Sequence, residues 1–286
     1  MRLKGRIQPK YISARVVFSL SLLGVMLLSG VGTTIGSSTR LASVNRSWNW
    51  MIANSALSQL TPAVQSNLNQ AGNYVIVPPN SPPTLSFSAQ KITTYKSYAD
   101  FQLAIQEHAV PAGTTGILLD LERWQFTPLV EQQDPLKYYA MASVLARRYG
   151  YYLIAAPGLS LIPGDFPQKL AYISRSDFYG KLSQYAQIVE VQSQSLEFNP
   201  GNFNHLLNVA VEQAKSSNVD AEVYAGLSTN PPAGIATTSQ LLNLISTTPI
   251  EIQGFWMNIP SPGPMCPNCN VQSPQVADDL FQAIGL

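Results

Sequence analysis

The chain has 286 residues, 45% of them hydrophobic and only 12% charged, enough apolar material to fill a sizeable core and too much for a chain disordered throughout. Six basic residues, Arg2, Lys4, Arg6, Lys10, Arg15 and Arg40, fall in the first 40 positions with no acid, and the remainder carries 11 basic against 16 acidic residues, a formal charge of −5. That balance excludes a nucleic-acid partner, because no basic stripe or cluster survives beyond Arg147 and Arg148.

Behind the basic head runs the apolar stretch Val16 to Gly32, the layout of an export signal. Residues 1–40 read as a signal peptide or as an uncleaved anchor, since Val16 to Ile35 approaches the roughly 20 residues that span a bilayer. Membrane contact is expected only through this segment. The mature part is expected outside the cytoplasm, secreted or at the cell surface.

Residues 41–72 are expected as an amino-terminal helical segment. From Ser47 to Gln70 the pattern is amphipathic, with Trp48, Ile52, Leu57 and Leu60 on one face and a break at Pro62. Residues 73–286 form the main domain. Short apolar strands are expected at Tyr74 to Val77, Lys91 to Tyr95, Gly116 to Leu121, Tyr152 to Ala156, Ile188 to Ser193, Glu222 to Leu227 and Ile252 to Asn258. Helices separate most of them; Asp134-Pro135 supplies an N-cap and a proline at the first helical position for the one ending at Gly150. Cys266 and Cys269, in Cys-Pro-Asn-Cys, fit a small disulfide staple in an oxidising compartment better than zinc, for which only His108 and His205 remain as ligands.

Strands that are continuous apolar runs, alternating with helices, predict a parallel sheet covered by helices. The fold class expected is α/β, a TIM-type (β/α)8-like barrel with one strand missing or irregular at the amino end. The rival doubly wound sheet lacks its Gly-x-Gly-x-x-Gly phosphate turn.

Side chains alternate faces along a strand, so Leu118, Asp120 and Glu122 point one way, and Ile117, Leu119 and Leu121 the other, toward the helices. The same parity turns Gln192 and Gln194 inward opposite Val189 and Val191, then Tyr224, Gly226 and Ser228, then Gly254, Trp256 and Asn258. Asn230 follows in the loop after Ser228, and Trp124 lies beside Glu122. One mouth, at the carboxyl ends of the strands, thus gathers carboxylates, amides and an aromatic ring, a set that suits a polyhydroxylated carbohydrate ligand. Two carboxyls one residue apart repel, so one proton is held tightly and the group can serve as a general acid. The competing role for Asp120 and Glu122 is structural, a cluster closing the barrel with Arg123 or Arg175 as counter-ion. No metal and no cofactor is indicated.

Gly116-Ile-Leu-Leu-Asp120-Leu-Glu122 resembles the fourth-strand signature of the family 18 glycoside hydrolases, Asp-Gly-x-Asp-x-Asp-x-Glu. Thr115 and Leu118 replace its first two aspartates, and Trp256 stands on the last strand, where that family also has a tryptophan. The resemblance implies a barrel in which Glu122 protonates the leaving glycosidic oxygen and Asp120 assists. It equally admits an inactive carbohydrate-binding or envelope interaction barrel, because the carboxylate at Leu118 is lost. Where a second protein carboxylate is needed, Glu197 and then Asp165 are the positions to consider, each otherwise a solvated loop acid.

Overall fold

The structure is a computed structural model and describes residues 47–82, 86–263, 266 and 272–286. Residues 1–40, read as signal or anchor, lie outside the described residues. Among the described residues no helix is long and apolar enough to cross a membrane.

Eight parallel strands close into a barrel in sequence order. They are β1 (Asn49–Ala53), β2 (Tyr74–Val77), β3 (Gln90–Tyr95), β4 (Gly116–Leu119), β5 (Tyr152–Ala155), β6 (Ile188–Val191), β7 (Glu222–Ser228) and β8 (Ile252–Asn258). Helices α1 (Asn54–Leu57) and α2 (Pro62–Leu68) follow β1, and α3 (Tyr98–Gln106) follows β3. Then come α4 (Leu129–Gln133) and α5 (Pro135–Arg148) after β4, α6 (Phe166–Ser176) and α7 (Phe178–Tyr185) after β5, α8 (Pro200–Ser217), α9 (Thr238–Thr247) and α10 (Pro274–Ala283). The (β/α)8 architecture expected from the alternation is therefore present, with all eight strands.

The eighth strand is β1, inside the stretch whose spacing predicts a helix from Ser47. Asn49-Trp-Met-Ile-Ala pairs on both sides, Met51 opposite Tyr74 of β2 and Trp256 of β8, and this double pairing outweighs a local pattern that fits either element. Helix resumes only at α1 and α2, with Pro62 as the first residue of α2 rather than a kink inside a longer helix. The barrel accordingly begins at Asn49, not at residue 73.

Alternation along the strands divides the apolar residues into two shells. Met51, Ile76, Ile92, Leu118, Ile154 and Ile188 pack inside the barrel, while Ile52, Val75, Ile117, Leu119, Val189, Val223 and Phe255 pack under the helices. The helix ends follow the local signals: the Asp134 side chain accepts from the Lys137 N–H at the start of α5, and Asp165 closes a reciprocal capping box with Gln168 on α6. Asp177, in the left-handed region at φ 51°, ends α6 and starts α7, so the helical stretch expected from Phe166 is two helices.

The disulfide expected between Cys266 and Cys269 is not carried forward. Among the described residues there is no disulfide bond, and Cys269 lies outside them. Within the described chain Cys266 is held by a backbone bridge to Gly263, a reciprocal pair of N–H to carbonyl hydrogen bonds of 3.3 and 3.0 Å.

Candidate active site

The ladder of β4 continues past its last strand residue: the Asp120 N–H donates to the Tyr95 carbonyl and Leu121 accepts from the Gly158 N–H. Extended backbone over these positions preserves the alternation, and Asp120 and Glu122 share the inward face with Leu118. Asp120 is buried and Glu122 half-buried. The Gln192 amide lies between them, its Nε2 donating to Asp120 Oδ1 at 2.7 Å and to the Ala156 carbonyl at 3.1 Å, and its side chain is near enough to Glu122 to oppose the rise of that carboxyl's pKa.

Glu122 lies flat against β5's exit loop. A Cβ at Gly158 would stand 2.7 Å from Glu122 Cγ and 3.0 Å from Ser160 Oγ, so the absence of a side chain there makes room for the carboxylate stem. Gly158→Ala is expected to leave folding intact while displacing Glu122, lowering kcat on a confirmed substrate by about 10²-fold, the scale of a 1 Å misplacement. Unchanged kcat in the folded variant would show that the precise seat of Glu122 does not matter.

Burial is the first cause acting on both carboxyls and raises both above the usual carboxylate range, Asp120 well above it. For Asp120 the neighbouring Glu122 charge adds to the rise, while the Gln192 amide and Lys96 oppose it. The pair titrates as a unit that keeps a proton longer than free acids would. Neither Arg123 nor Arg175 forms a salt bridge with it among the described residues: the Arg123 N–H binds Ser160 Oγ, and Arg175 Nε binds the Ala171 carbonyl.

The other expected residues are placed as follows. Trp256 is buried in the barrel interior, level with Met51 and Gly226, and its Nε1 has no hydrogen-bond partner among the described residues. Ser228 stands opposite Asn258 at the ends of β7 and β8, its Oγ accepting from the Asn230 N–H. Gln194 arrives by a different route, since β6 ends at Val191. A 3-10 turn, Gln194–Leu196, lays its amide over Gly226, where a Cβ would come within 2.5 Å of it. Trp124 is half-buried beside the pair, with its indole N–H already donated to Thr127 Oγ1 at 2.7 Å and Lys96 5.8 Å from its ring centroid. His108 and His205 are exposed, on the helix layer and away from the strand ends.

Three buried polar positions were not singled out from the sequence, or were read differently there. Thr127, fully buried, donates to the Lys96 carbonyl and accepts from both Glu122 N–H and Trp124 Nε1, fixing the loop after β4. Glu197 is not a solvated loop acid. It is 3% exposed, one oxygen accepts from the Ser228 N–H, and the other is buried without a partner. Burial raises its pKa well above the ordinary range, against the pull of that N–H. Glu190 on β6 is fully buried, neither carboxyl oxygen has a hydrogen-bond partner, and burial, then Asp120 and Glu122, push its pKa well up. The signal was available: Val189 and Val191 face the helices, so the residue between them faces in. Asp165, by contrast, is a helix cap. Among the described residues no cluster of three or more His, Cys, Asp or Glu is arranged to hold a metal ion.

No protein-family model and no curated protein matches the sequence. The barrel resembles solved glycoside-hydrolase barrels. A GH53 catalytic domain from Ignisphaera aggregans is 14% identical, with a TM-score of 0.34 over 53% of this chain and 49% of that one. The chain thus spans about half the length of that domain. A GH128 (subgroup III) curdlan-specific exo-beta-1,3-glucanase from Blastomyces gilchristii, solved with glucose, is 11% identical, with a TM-score of 0.43 over 82% of this chain and 97% of that one. Neither is described as a family 18 hydrolase.

Proposed function

We propose that the protein is an exported barrel that hydrolyses a polysaccharide, with Glu122 as the general acid. The observation that carries this reading is the Asp120–Glu122 pair at the carboxyl end of β4, with Asp120 held by the Gln192 amide and both carboxyls raised above the usual range by burial. A carboxyl that burial makes hold its proton to higher pH than a free acid can give it to a glycosidic oxygen as the bond breaks. Asp120 positions Glu122 through the shared amide. In this reading Trp256, buried in the interior with its indole N–H unpartnered among the described residues, would supply the ring face for a sugar, and Gln194, Ser228, Asn230 and Asn258 the polar groups around it.

Glu197 is the second carboxylate of this reading. One oxygen is anchored by the Ser228 N–H at the end of β7 and the other is unpartnered; the ionised form, which burial disfavours, is the one that would assist water. Glu197→Gln is expected to cut kcat by about 10²-fold or more, within the range of acid–base groups. Asp165→Asn should leave kcat alone and cost at most about 1 kcal/mol, since it alters only the α6 cap. Equal kcat values for the two variants would remove Glu197 from the role.

The test of the whole reading is the release of reducing sugar from a panel of polysaccharides, present in wild type and lost in Glu122→Gln. A second reading, a carbohydrate-binding barrel without turnover, is favoured by Leu118: it is fully buried in the interior at the place of the family 18 signature's middle aspartate. Glycan binding with no product from any bound glycan selects it. Export belongs to the proposal on the strength of residues 1–40, and a processed amino terminus in the culture fluid is its measurement.

A further inference from the structure

A cavity of about 550 Å³ opens beside the mouth, between the loop after β4, helix α4 and the loop after β5, with α6 and α7 behind. Its wall includes Arg123, Gln132, Gln133, Leu161, Ile162 and Tyr172. Nothing in the proposed reaction uses it, yet it is joined to the carboxylate pair by covalent and hydrogen-bonded continuity. Arg123 follows Glu122 directly, and its N–H is held by Ser160, whose hydroxyl also lies beside the space over Gly158 into which the Glu122 stem fits. Gln132 both lines the cavity and clamps the Trp124 loop, its Nε2 donating to the Trp124 and Thr127 carbonyls at 2.8 and 2.7 Å.

The lining combines what sugar recognition needs. Tyr172 is 41% exposed and offers a ring, packed 6.4 Å from buried Phe178, and Gln133 offers amide groups. The volume lies within the roughly 300–1,000 Å³ of small-ligand sites. Its distinguishing feature is charge. The Arg123 guanidinium has no acidic partner among the described residues, although this part of the chain contains Asp134 and Asp165; both of these are turned to helix N-termini, accepting from Lys137 and Gln168 N–H groups. Lys169 donates to the carbonyls of Leu159 and of Ile162, the latter on the cavity's wall; burial and then the Arg123 charge lower its pKa. Arg123 in the lining, with Lys169 behind it and no acidic residue in the wall, leaves a positive cavity on a domain of net negative charge.

We propose that this cavity is a second sugar subsite, adjoining Glu122, that takes a sugar unit bearing a carboxylate. The inference rests on the polysaccharide reading above and names its substrate class, an acidic polysaccharide. Arg123 receives the carboxylate in its planar fork, Tyr172 carries the ring face, and the chain continues from there into the barrel mouth.

Binding to the whole protein, with Glu122→Gln used to prevent turnover, tests this with matched pairs of equal length: oligomers of galacturonic acid against galacto-oligosaccharides, and of mannuronic acid against manno-oligosaccharides. At least one acidic oligomer is expected to bind about tenfold or more tighter than its neutral counterpart, with a preference that shrinks as salt rises. Arg123→Gln should erase the preference while neutral binding persists, and Tyr172→Ala should weaken both members of a pair. Equal affinities within both pairs, or a preference that survives Arg123→Gln, overturns the subsite. If neutral oligomers bind and are cleaved by wild type without any acidic preference, the subsite fails and the glycosidase reading stands. If acidic oligomers bind through Arg123 and wild type cleaves none, the subsite stands and the glycosidase reading fails. Binding of neither class overturns the subsite, and the glycosidase reading then stands or falls on the reducing-sugar panel.

Discussion

Glu122→Gln loses about 10²–10⁴-fold in kcat, the contribution of a positioned general acid, while the folded barrel and glycan binding are retained. Glutamine keeps the shape and can still meet the Gln192 amide, but it has no proton to donate. The rate of the wild type should fall as pH rises through the Glu122 pKa, because the protonated form is the active one. Burial moves that fall to higher pH than an ordinary glutamate would give. Asp120→Asn supplies the comparison: it removes the buried neighbour whose ionisation is tied to Glu122's, so it should move the alkaline limb of the profile as well as the rate. Turnover by Glu122→Gln at the wild-type level on a confirmed substrate would dismiss Glu122 as the acid. A profile unmoved in Asp120→Asn would dissolve the pairing.

Glu190→Met stabilises the protein at pH 7 by about 1–3 kcal/mol, the cost of a buried polar group left unsatisfied. The sign follows from linkage. In the unfolded chain Glu190 ionises near the ordinary glutamate value of about 4.3, whereas in the fold burial, Asp120 and Glu122 hold its proton well above that. Below the unfolded pKa both states are protonated and the group does not bear on pH dependence. Above it the folded state binds more protons than the unfolded one, so stability drops as pH rises toward the folded pKa, by about 1.4 kcal/mol per pH unit for one such group. Urea midpoints from pH 4 to pH 8 should therefore decline less steeply in Glu190→Met and in Glu190→Gln. Only Met gains absolute stability as well, because the glutamine amide stays unpartnered. A slope identical to wild type in both variants would mean that Glu190 is solvated or paired in solution. Glu190 is near enough to Asp120 and Glu122 for their charges to act on it, so its loss should lower turnover along with the pH slope.

Most of the site's direction was legible from period-two alternation. Ile117, Leu119 and Leu121 against Leu118, Asp120 and Glu122 is a pattern that any covered parallel strand imposes, and it placed the pair, Gln192 and Trp256 correctly on the inner face. The same rule contained Glu190, two residues before Gln192. β1 was not legible: Trp48, Ile52, Leu57 and Leu60 satisfy a helical spacing, and five residues are too few for periodicity to arbitrate. Only the ladders to Tyr74 on one side and Gly254 to Met257 on the other settle it.

By itself, then, the sequence determined the alternation of strand and helix, the inward face of each strand and the character of the mouth, because these depend on neighbours within a few residues. Tertiary structure alone decided the closure of the ring through β1, the burial of Glu197 against the Ser228 N–H and the bridging of Asp120 by an amide 72 positions along the chain. Burial and pairing depend on which distant segments share a volume, and a carboxyl's proton affinity is set by that volume rather than by its sequence neighbours.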